Sequence, residues 1–448
     1  MIDRTRLEHR LGEEERRFVA AHPLSRTLFE RAQRYLLGGV PMPWMVRWPG
    51  GFPVFVREGR GARFTDVDGL EYLDLCLGDT GAMTGHAPEA TMRAIAVQAR
   101  RGLTYMLPGE DALWVAEELA RRFGLPYWQF ALSATDANRF AIRLARHITC
   151  RPRILVFNWC YHGTVDETFV TLGPTGPVPR PGNTGPAVNP AETTRVVEFN
   201  DVPDLERALA SRDVACVLAE PAMTNIGIIL PDPGFHDALR DLTTASGTLL
   251  IIDETHTICT GPGGYTAAHA LAPDMVTIGK PIGGGVPGAA YGMSTAVAER
   301  VRETIRTEEA DTGGIGGTLA GNALSLAAMR ATLDHVLTAS AFARAIPLAE
   351  RWASGVHQVI TELGLPWIVQ RLGCRAEYWF RATAPKNGGE AAAAADPLLD
   401  RYMHLAALNR GILLTPFHNM ALIAPEVTEA DIDRHTLVFR ESVQALLG

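Results

Sequence analysis

Lys280 is one of only two lysines in a chain of 448 residues whose other strongly basic side chains are all arginines; the second is Lys386. It lies in GKPIGGGVPG, between a short apolar run and a cluster of glycines. Arginine stays protonated near neutral pH, whereas a lysine amine can lose its proton and act as nucleophile or base. A lysine kept among arginines at such a place points to amine chemistry. Three other apolar runs end in groups that could work with it. Asp253 follows TLLII, Glu220 follows VACVLA and precedes Pro221, and Tyr161 and His162 follow ILVF in NWCYHG. An amine, two carboxylates and an aromatic–imidazole pair could bind a charged ring, stack on it and move a proton. Polar residues also end strands simply because the chain is leaving the core, so the information lies in the set.

The elements that must position these groups can be read from the pattern. Strands are predicted at 154–157, 214–219, 248–252 and 275–278, with helical periodicity between them, which implies an α/β fold with a largely parallel sheet. In such sheets ligands sit beyond the carboxyl ends of the strands. ALSATDANRFAIRLARHI reads as a helix with a capping pair, Ser133 and Asp136, and apolar residues at helical spacing from Ala137 to Ile148. The small residues Ser133, Ala134 and Thr135 leave the first N–H groups open to an anion. An ordinary capped helix has the same signature. The segment up to about residue 37 reads as helical, and 52–77 as short strands with turns at Glu58-Gly59 and Asp68-Gly69. Residues 173–190 read as a long Pro/Gly loop. From about 325 onward the pattern is long helices with a few strands. GGEAAAAADP near 388–397 reads as a surface insertion.

Composition narrows the class. The chain is 47% hydrophobic and 21% charged, which describes a soluble globular protein, and its length suits two domains. A net charge of −8 argues against nucleic acid or an anionic membrane as the main partner. The six scattered cysteines contain no CxxC pair and read as reduced thiols, which with the Arg- and Glu-rich start suggests a cytoplasmic protein. No apolar run reaches bilayer length. The histidines show no metal spacing, so no metal is assigned. The glycines follow Lys280, which excludes a P-loop, and no G-x-G-x-x-G joins an early strand to a helix.

The order S-A-T-D-A-N, Y-H-G, E-P, I-D-E, G-K and G-G-T resembles the class III pyridoxal-phosphate aminotransferases of fold type I. The glutamate-1-semialdehyde aminomutase and β-amino-acid aminotransferase branch is most similar. The resemblance runs from LLGGV near residue 36 to DIDR near 431. It implies a large domain with a mainly parallel seven-stranded sheet between helices, here placed at 63–324. It also implies a smaller α+β domain from both termini, at 1–62 and 325–448. Pyridoxal 5'-phosphate would be the cofactor, joined to Lys280 as a Schiff base, and Asp253 would hold its ring nitrogen protonated. Tyr161 would stack on the ring, with His162 and Gly163 completing that turn. Thr255 would pack on the opposite face, where relatives carry Val or Ile. His256 would stand near the phenolic oxygen, where they carry Gln or Met. Ser133, Ala134 and Thr135 would seat the phosphate, with Ala134 where relatives have Gly. Glu220 would stay beside the cofactor. Gly317 and Thr318 would reach the phosphate of a neighbouring subunit, which implies a homodimer with shared sites.

For the substrate, Trp44, Arg47, Arg375 and Phe417 are candidates, although in so Arg-rich a chain either arginine reads more readily as a surface residue. Thr415 and Pro416 stand where many relatives place an Arg, as in the aminomutase branch, whereas the loop after Y-H-G matches that branch poorly. The reading is an aminotransferase moving an amino group from an amine or a β- or ω-amino acid to a keto acid by a ping-pong route. The alternative is a 2,1-aminomutase, and a third is a homologue that binds the cofactor without turnover. The donor, the acceptor and the preferred enantiomer are not fixed by the sequence.

Overall fold

All six residues of the strand Val214–Ala219 are buried, and every residue of Leu249–Asp253, Met275–Ile278 and Ala289–Met293 is buried too. Strands covered on both faces must be apolar throughout, which is why these runs do not alternate. The computed structural model describes residues 2–185, 189–305, 312–416 and 418–447. Across the seven-stranded sheet the order is Tyr127–Ala131, Ala289–Met293, Met275–Ile278, Leu249–Asp253, Val214–Ala219, Arg153–Phe157 and Thr194–Val197. Only Ala289–Met293 runs antiparallel to its neighbours; the other pairings are parallel. The register sets Asp253 beside Thr277 and Ile252 beside Ala219, so Asp253, Glu220 and Lys280 leave the same end of adjacent strands.

The chain divides into two compact units, 89–342 with 385–393, and 1–88 with 343–384 and 394–448. Sequence places the divisions at 62/63 and 324/325 instead. Residues 63–88 stay with the terminal unit because Arg63–Asp66 and Glu71–Asp74 extend the sheet begun by Val56–Arg60. Residues 325–342 stay with the large unit because the helix Ala323–His335 packs on Glu89–Ala99, where the hydroxyls of Thr332 and Thr91 lie 2.9 Å apart. Buried Arg122 secures the end of that helix, donating to the carbonyls of Leu333 at 2.6 Å and Leu337 at 2.9 Å. A cation at a helix carboxyl end is favourable.

Two loop expectations are revised. Within 173–190, Gly176–Pro179 pairs with Val170–Gly173 as an antiparallel hairpin, and Pro190–Thr193 is a short helix. The segment near 388–397 is not a surface insertion. Gly388–Ala393 is a helix with Gly388 and Ala391 buried. A Cβ on Gly388 would come within 2.1 Å of the Asn158 carbonyl oxygen, so only glycine allows this approach.

In the terminal unit the helix Arg4–Ala21 starts at an Asp3 cap and buries Leu7, Leu11 and Phe18 along one face. A second, three-stranded antiparallel sheet is formed by Ile368–Leu372, Arg375–Trp379 and Met420–Leu422. Buried His22 donates from Nδ1 to the Phe18 carbonyl at 2.7 Å and places Nε2 2.6 Å from the Tyr72 hydroxyl. Tyr72 in turn donates to Asp66 at 3.0 Å. Among the described residues no helix is long and apolar enough to cross a membrane.

Candidate active site

Asp253 ends the central strand and is buried, a costly place for a carboxylate unless donors surround it. Its Oδ2 accepts from Asn138 Nδ2 and His162 Nδ1, each at 2.9 Å, and its Oδ1 accepts from the backbone N–H of Thr255 at 3.0 Å. Burial pushes the Asp253 pKa up, but His162, Thr255 and Asn138 outweigh it and hold the pKa down at about 2. Burial opposes the charge of His162, yet the neighbouring Cys160 and Asp253 lift its pKa to about 10. The aspartate therefore keeps its negative charge across the whole neutral range.

Asn138 fixes this arrangement. It lies wholly buried on the helix Ala134–Thr149, donates also to the His162 carbonyl at 3.1 Å, and accepts from the Thr277 hydroxyl at 2.6 Å. One amide thus ties the helix to the turn after Phe157 and to two central strands.

Lys280 follows the strand Met275–Ile278 in a left-handed conformation, φ 50°, which a residue with a Cβ adopts at a cost of about 1 kcal/mol. Its Nζ lies 2.5 Å from His256 Nε2. Ser133 caps the helix Ala134–Thr149, accepting from the Asp136 N–H at 3.2 Å, so the capping pair forms as expected. The N–H groups of Ala134 and Thr135 have no acceptor within the helix. Gly163, φ 79°, lets the turn press on this helix start: a Cβ there would lie 2.1 Å from Thr135 Oγ1. The same hydroxyl accepts from the Thr164 N–H at 3.0 Å. Tyr161 meets Phe169 edge to face, with ring centroids 6.1 Å apart.

Three buried polar atoms near Asp253 have no partner among the described residues: Thr255 Oγ1, Glu220 Oε1 and His162 Nε2. Glu220 accepts from the Thr224 hydroxyl at Oε2, and burial, opposed by His162 and Thr224, lifts its pKa to about 7. Native proteins rarely leave such atoms unpaired unless something else occupies the place. The donor set suits a planar nitrogen heterocycle bearing an anionic group. Asp253 offers fixed negative charge, Tyr161 an aromatic face, the start of Ala134–Thr149 open N–H groups, and Lys280 an amine beside an imidazole.

The structure thus brings together Ser133, Ala134, Thr135, Tyr161, His162, Glu220, Asp253, Thr255, His256 and Lys280 within the large unit. Gly317 and Thr318 belong to the same unit but are exposed, and none of these hydrogen bonds reaches them. Trp44, Arg47 and Arg375 belong to the terminal unit. Arg47 is exposed, as a surface arginine would be. Arg375 is not a surface residue. It lies fully buried on the middle strand of the three-stranded sheet, donating to the Thr80 hydroxyl and to Met420 Sδ at 3.3 Å. Phe417 lies outside the described residues. Asn138 lies within S-A-T-D-A-N, but nothing local in the sequence assigns it a task, and Thr277 is equally silent there. The signal available was a polar residue on the apolar face of a strongly amphipathic helix. Among the described residues no group of three or more His, Cys, Asp or Glu side chains could hold a metal.

Comparison with known proteins agrees with this chemistry. Residues 45–433 match the family Aminotransferase class-III. A glutamate-1-semialdehyde 2,1-aminomutase of Sorangium cellulosum is 35% identical over 431 residues, 94% of this chain and 97% of that protein. The crystal structure of a glutamate-1-semialdehyde aminomutase from Pseudomonas aeruginosa PAO1 is 51% identical, covers 99% of each chain and superposes with a TM-score of 0.97. A lysine-to-alanine variant of it in complex with PMP is equally similar. An omega-transaminase from Sphaerobacter thermophilus is 29% identical over 95% of this chain and 98% of that one, with a TM-score of 0.86. The match spans almost the entire length, and the buried carboxylate, the strained lysine and the open helix start all fall inside it. The chain belongs to the class III aminotransferases, as a fold type I enzyme that works with pyridoxal phosphate.

Proposed function

We propose that this enzyme moves an amino group between adjacent carbons of one molecule, as a glutamate-1-semialdehyde 2,1-aminomutase does. The observation that carries the reading is the 51% identity across 99% of both chains with the Pseudomonas aeruginosa aminomutase. This reverses the order of the two readings drawn from sequence, where transfer to a separate keto acid came first. The reaction converts 4-amino-5-oxopentanoate into 5-amino-4-oxopentanoate, an isomerisation that consumes no second substrate.

Each residue then has a task. Pyridoxal phosphate, when bound, supplies an aldehyde that takes up the amine and a ring that accepts the electron pair left by proton removal. Lys280 would hold the cofactor, and its amine would move the proton off one carbon of the substrate and onto its neighbour. His256, within hydrogen-bond distance of Nζ, orients that amine. Asp253 keeps the ring nitrogen protonated, and Asn138 and His162 aim its carboxylate. Ser133, Ala134 and Thr135 hold the phosphate, Tyr161 and Thr255 pack on the ring, and Glu220 lines its surroundings.

A homodimer belongs to the same proposal. The large unit exposes Leu103, Tyr105, Met106 and Leu107 in one short stretch, and the terminal unit exposes Tyr35, Leu36 and Leu37. Contiguous exposed apolar side chains of this kind mark association surfaces. Gly317 and Thr318, exposed here, would complete the partner's phosphate site. Sedimentation of the holoenzyme should give a dimer mass, and a monomer at micromolar concentration would remove this part.

The central test is incubation of the purified holoenzyme with glutamate 1-semialdehyde and no added keto acid. Accumulation of 5-amino-4-oxopentanoate over many turnovers is expected. Turnover that begins only when pyruvate or 2-oxoglutarate is supplied would instead favour the aminotransferase reading, which the likeness to the Sphaerobacter thermophilus omega-transaminase keeps in view.

A further inference from the structure

The Pro/Gly segment after the cofactor turn delivers one residue that the proposed mechanism does not use. Arg180 follows the second hairpin strand, Gly176–Pro179, and its backbone N–H donates to the Phe169 carbonyl at 3.1 Å. This pairing returns the side chain to the turn that carries Tyr161 and His162. The guanidinium carbon lies 5.9 Å from the Trp159 ring centre and 5.5 Å from that of Phe169. Phe169 is also the ring that meets Tyr161 edge to face. Trp159 is held in turn: it adopts φ 63°, and its carbonyl accepts from Asn225 Nδ2 at 2.8 Å.

A guanidinium carries five N–H donors, and burial raises the demand for partners. Among the described residues Arg180 spends one of its nitrogens on the Cys160 carbonyl, leaves Nε buried without an acceptor, and forms no ion pair. Half-buried Arg139 and Arg151 of this unit likewise have no ion pair among the described residues, Arg139 donating to the Thr164 carbonyl and Arg151 to those of Val214, Gly247 and Ser246, whereas others carry one. Arg146 pairs with Glu167 at 2.6 Å, Arg195 with Asp213 at 2.9 Å, and Arg240 with Asp274 at 3.0 Å. Arg180 is therefore a positioned, half-buried cation for which the described residues of the large unit provide no counter-charge. Flanking aromatic faces hold such a group in place without neutralising it, and the planar fork matches a carboxylate.

We propose that Arg180 receives the terminal carboxylate of the substrate, so that the enzyme selects amino compounds bearing a carboxylate a few carbons from the reacting centre. The inference rests on the reading of this chain as an amino-moving pyridoxal-phosphate enzyme, and it names the group that such a substrate presents. The competing role is purely mechanical: Arg180 could brace the turn through Cys160.

The test compares wild-type holoenzyme, in its pyridoxal form, with Arg180→Gln and Arg180→Lys. Binding of 4-oxopentanoate and of uncharged 2-pentanone is measured by calorimetry, together with kcat/KM for glutamate 1-semialdehyde and the melting temperature. The expected result is that Arg180→Gln weakens 4-oxopentanoate about 10- to 100-fold and leaves 2-pentanone within twofold, as loss of a charge-assisted hydrogen bond predicts. Arg180→Lys should recover part of the loss, and kcat/KM should fall in parallel through KM. Equal affinity of wild type and Arg180→Gln for 4-oxopentanoate would overturn the assignment. So would wild type that binds the acid no better than the ketone. Equal losses on both ligands with a lowered melting temperature would make Arg180 a brace. The binding arm needs no turnover: if glutamate 1-semialdehyde is not isomerised but acid binding still depends on Arg180, the aminomutase reading falls and this one stands.

Discussion

His22 in the terminal unit and His162 in the large unit are both buried beside a carboxylate, and they leave different remainders. Both ring nitrogens of His22 are engaged, the Tyr72 hydroxyl is shared between His22 and Asp66, and the other oxygen of Asp66 accepts from the Leu70 N–H at 2.8 Å. That set closes on itself. Around Asp253, by contrast, Nε2 of His162, Oγ1 of Thr255 and Oε1 of Glu220 have no partner among the described residues. A closed set of hydrogen bonds stabilises a fold; an open one holds capacity for a ligand. The difference separates structural from chemical use of the same residue types.

Four substitutions would break or sharpen this contrast. Lys280→Ala should abolish turnover, about 10⁴-fold or more, with little change in unfolding free energy, because a partly exposed lysine serves chemistry and not packing. Mass spectrometry after borohydride should also find no pyridoxyl adduct on that peptide, and substantial residual kcat would end the assignment. Asp253→Asn should lower kcat by about 10²-fold and loosen the cofactor, read as faster release on dialysis. It also deprives His162 of its charge partner, so the imidazole pKa should fall from about 10, measurable by NMR titration. The third concerns Glu220, whose pKa is raised from the ordinary 4.5 to about 7. A raised carboxyl contributes stability that is full below pH 4.5 and is lost as pH rises through about 7. The loss is about 3 kcal/mol at most. Glu220→Gln should flatten that part of the apoenzyme's pH–stability curve, and an unchanged slope would show that the carboxyl ionises as if exposed. Tyr72→Phe is the smallest: about 1–2 kcal/mol of stability lost in urea titrations, with kcat/KM unchanged within twofold. If Tyr72→Phe instead removed activity while stability held, the contrast between the two units would fail.

Much of this contrast could be read before any coordinates. Lys280 stood out because arginine had replaced nearly every other lysine, and Asp253 and Glu220 because each closes an apolar run. Ser133 was legible because its capping signal is local. What escaped depends on contacts distant in sequence. Asn138 matters only once its helix lies against the sheet with that one face toward Asp253. Arg375 looked like one more surface arginine, because burial of a cation on a middle strand leaves no trace in a pattern of charges. Arg180 lay in a stretch that composition describes only as turn-rich, and the pairing that returns it to Trp159 and Phe169 is set by a hairpin two residues wide at its tip. The division points escaped for a related reason, since sheet extension by Arg63–Asp66 and Glu71–Asp74 is not visible in local propensity.

The short visit of residues 385–393 to the large unit has a practical result for anyone dissecting the gene. A clone spanning 89–342 alone would lack the Gly388–Ala393 helix, stripping Glu198 of its bond from the Gly389 N–H and Asn200 of its bond to the Lys386 carbonyl. Asn158, which follows the strand leading to Tyr161, would lose its cover. Excising the catalytic body as a single continuous fragment should therefore fail, whereas a version with those nine residues grafted back through a linker has a reason to fold.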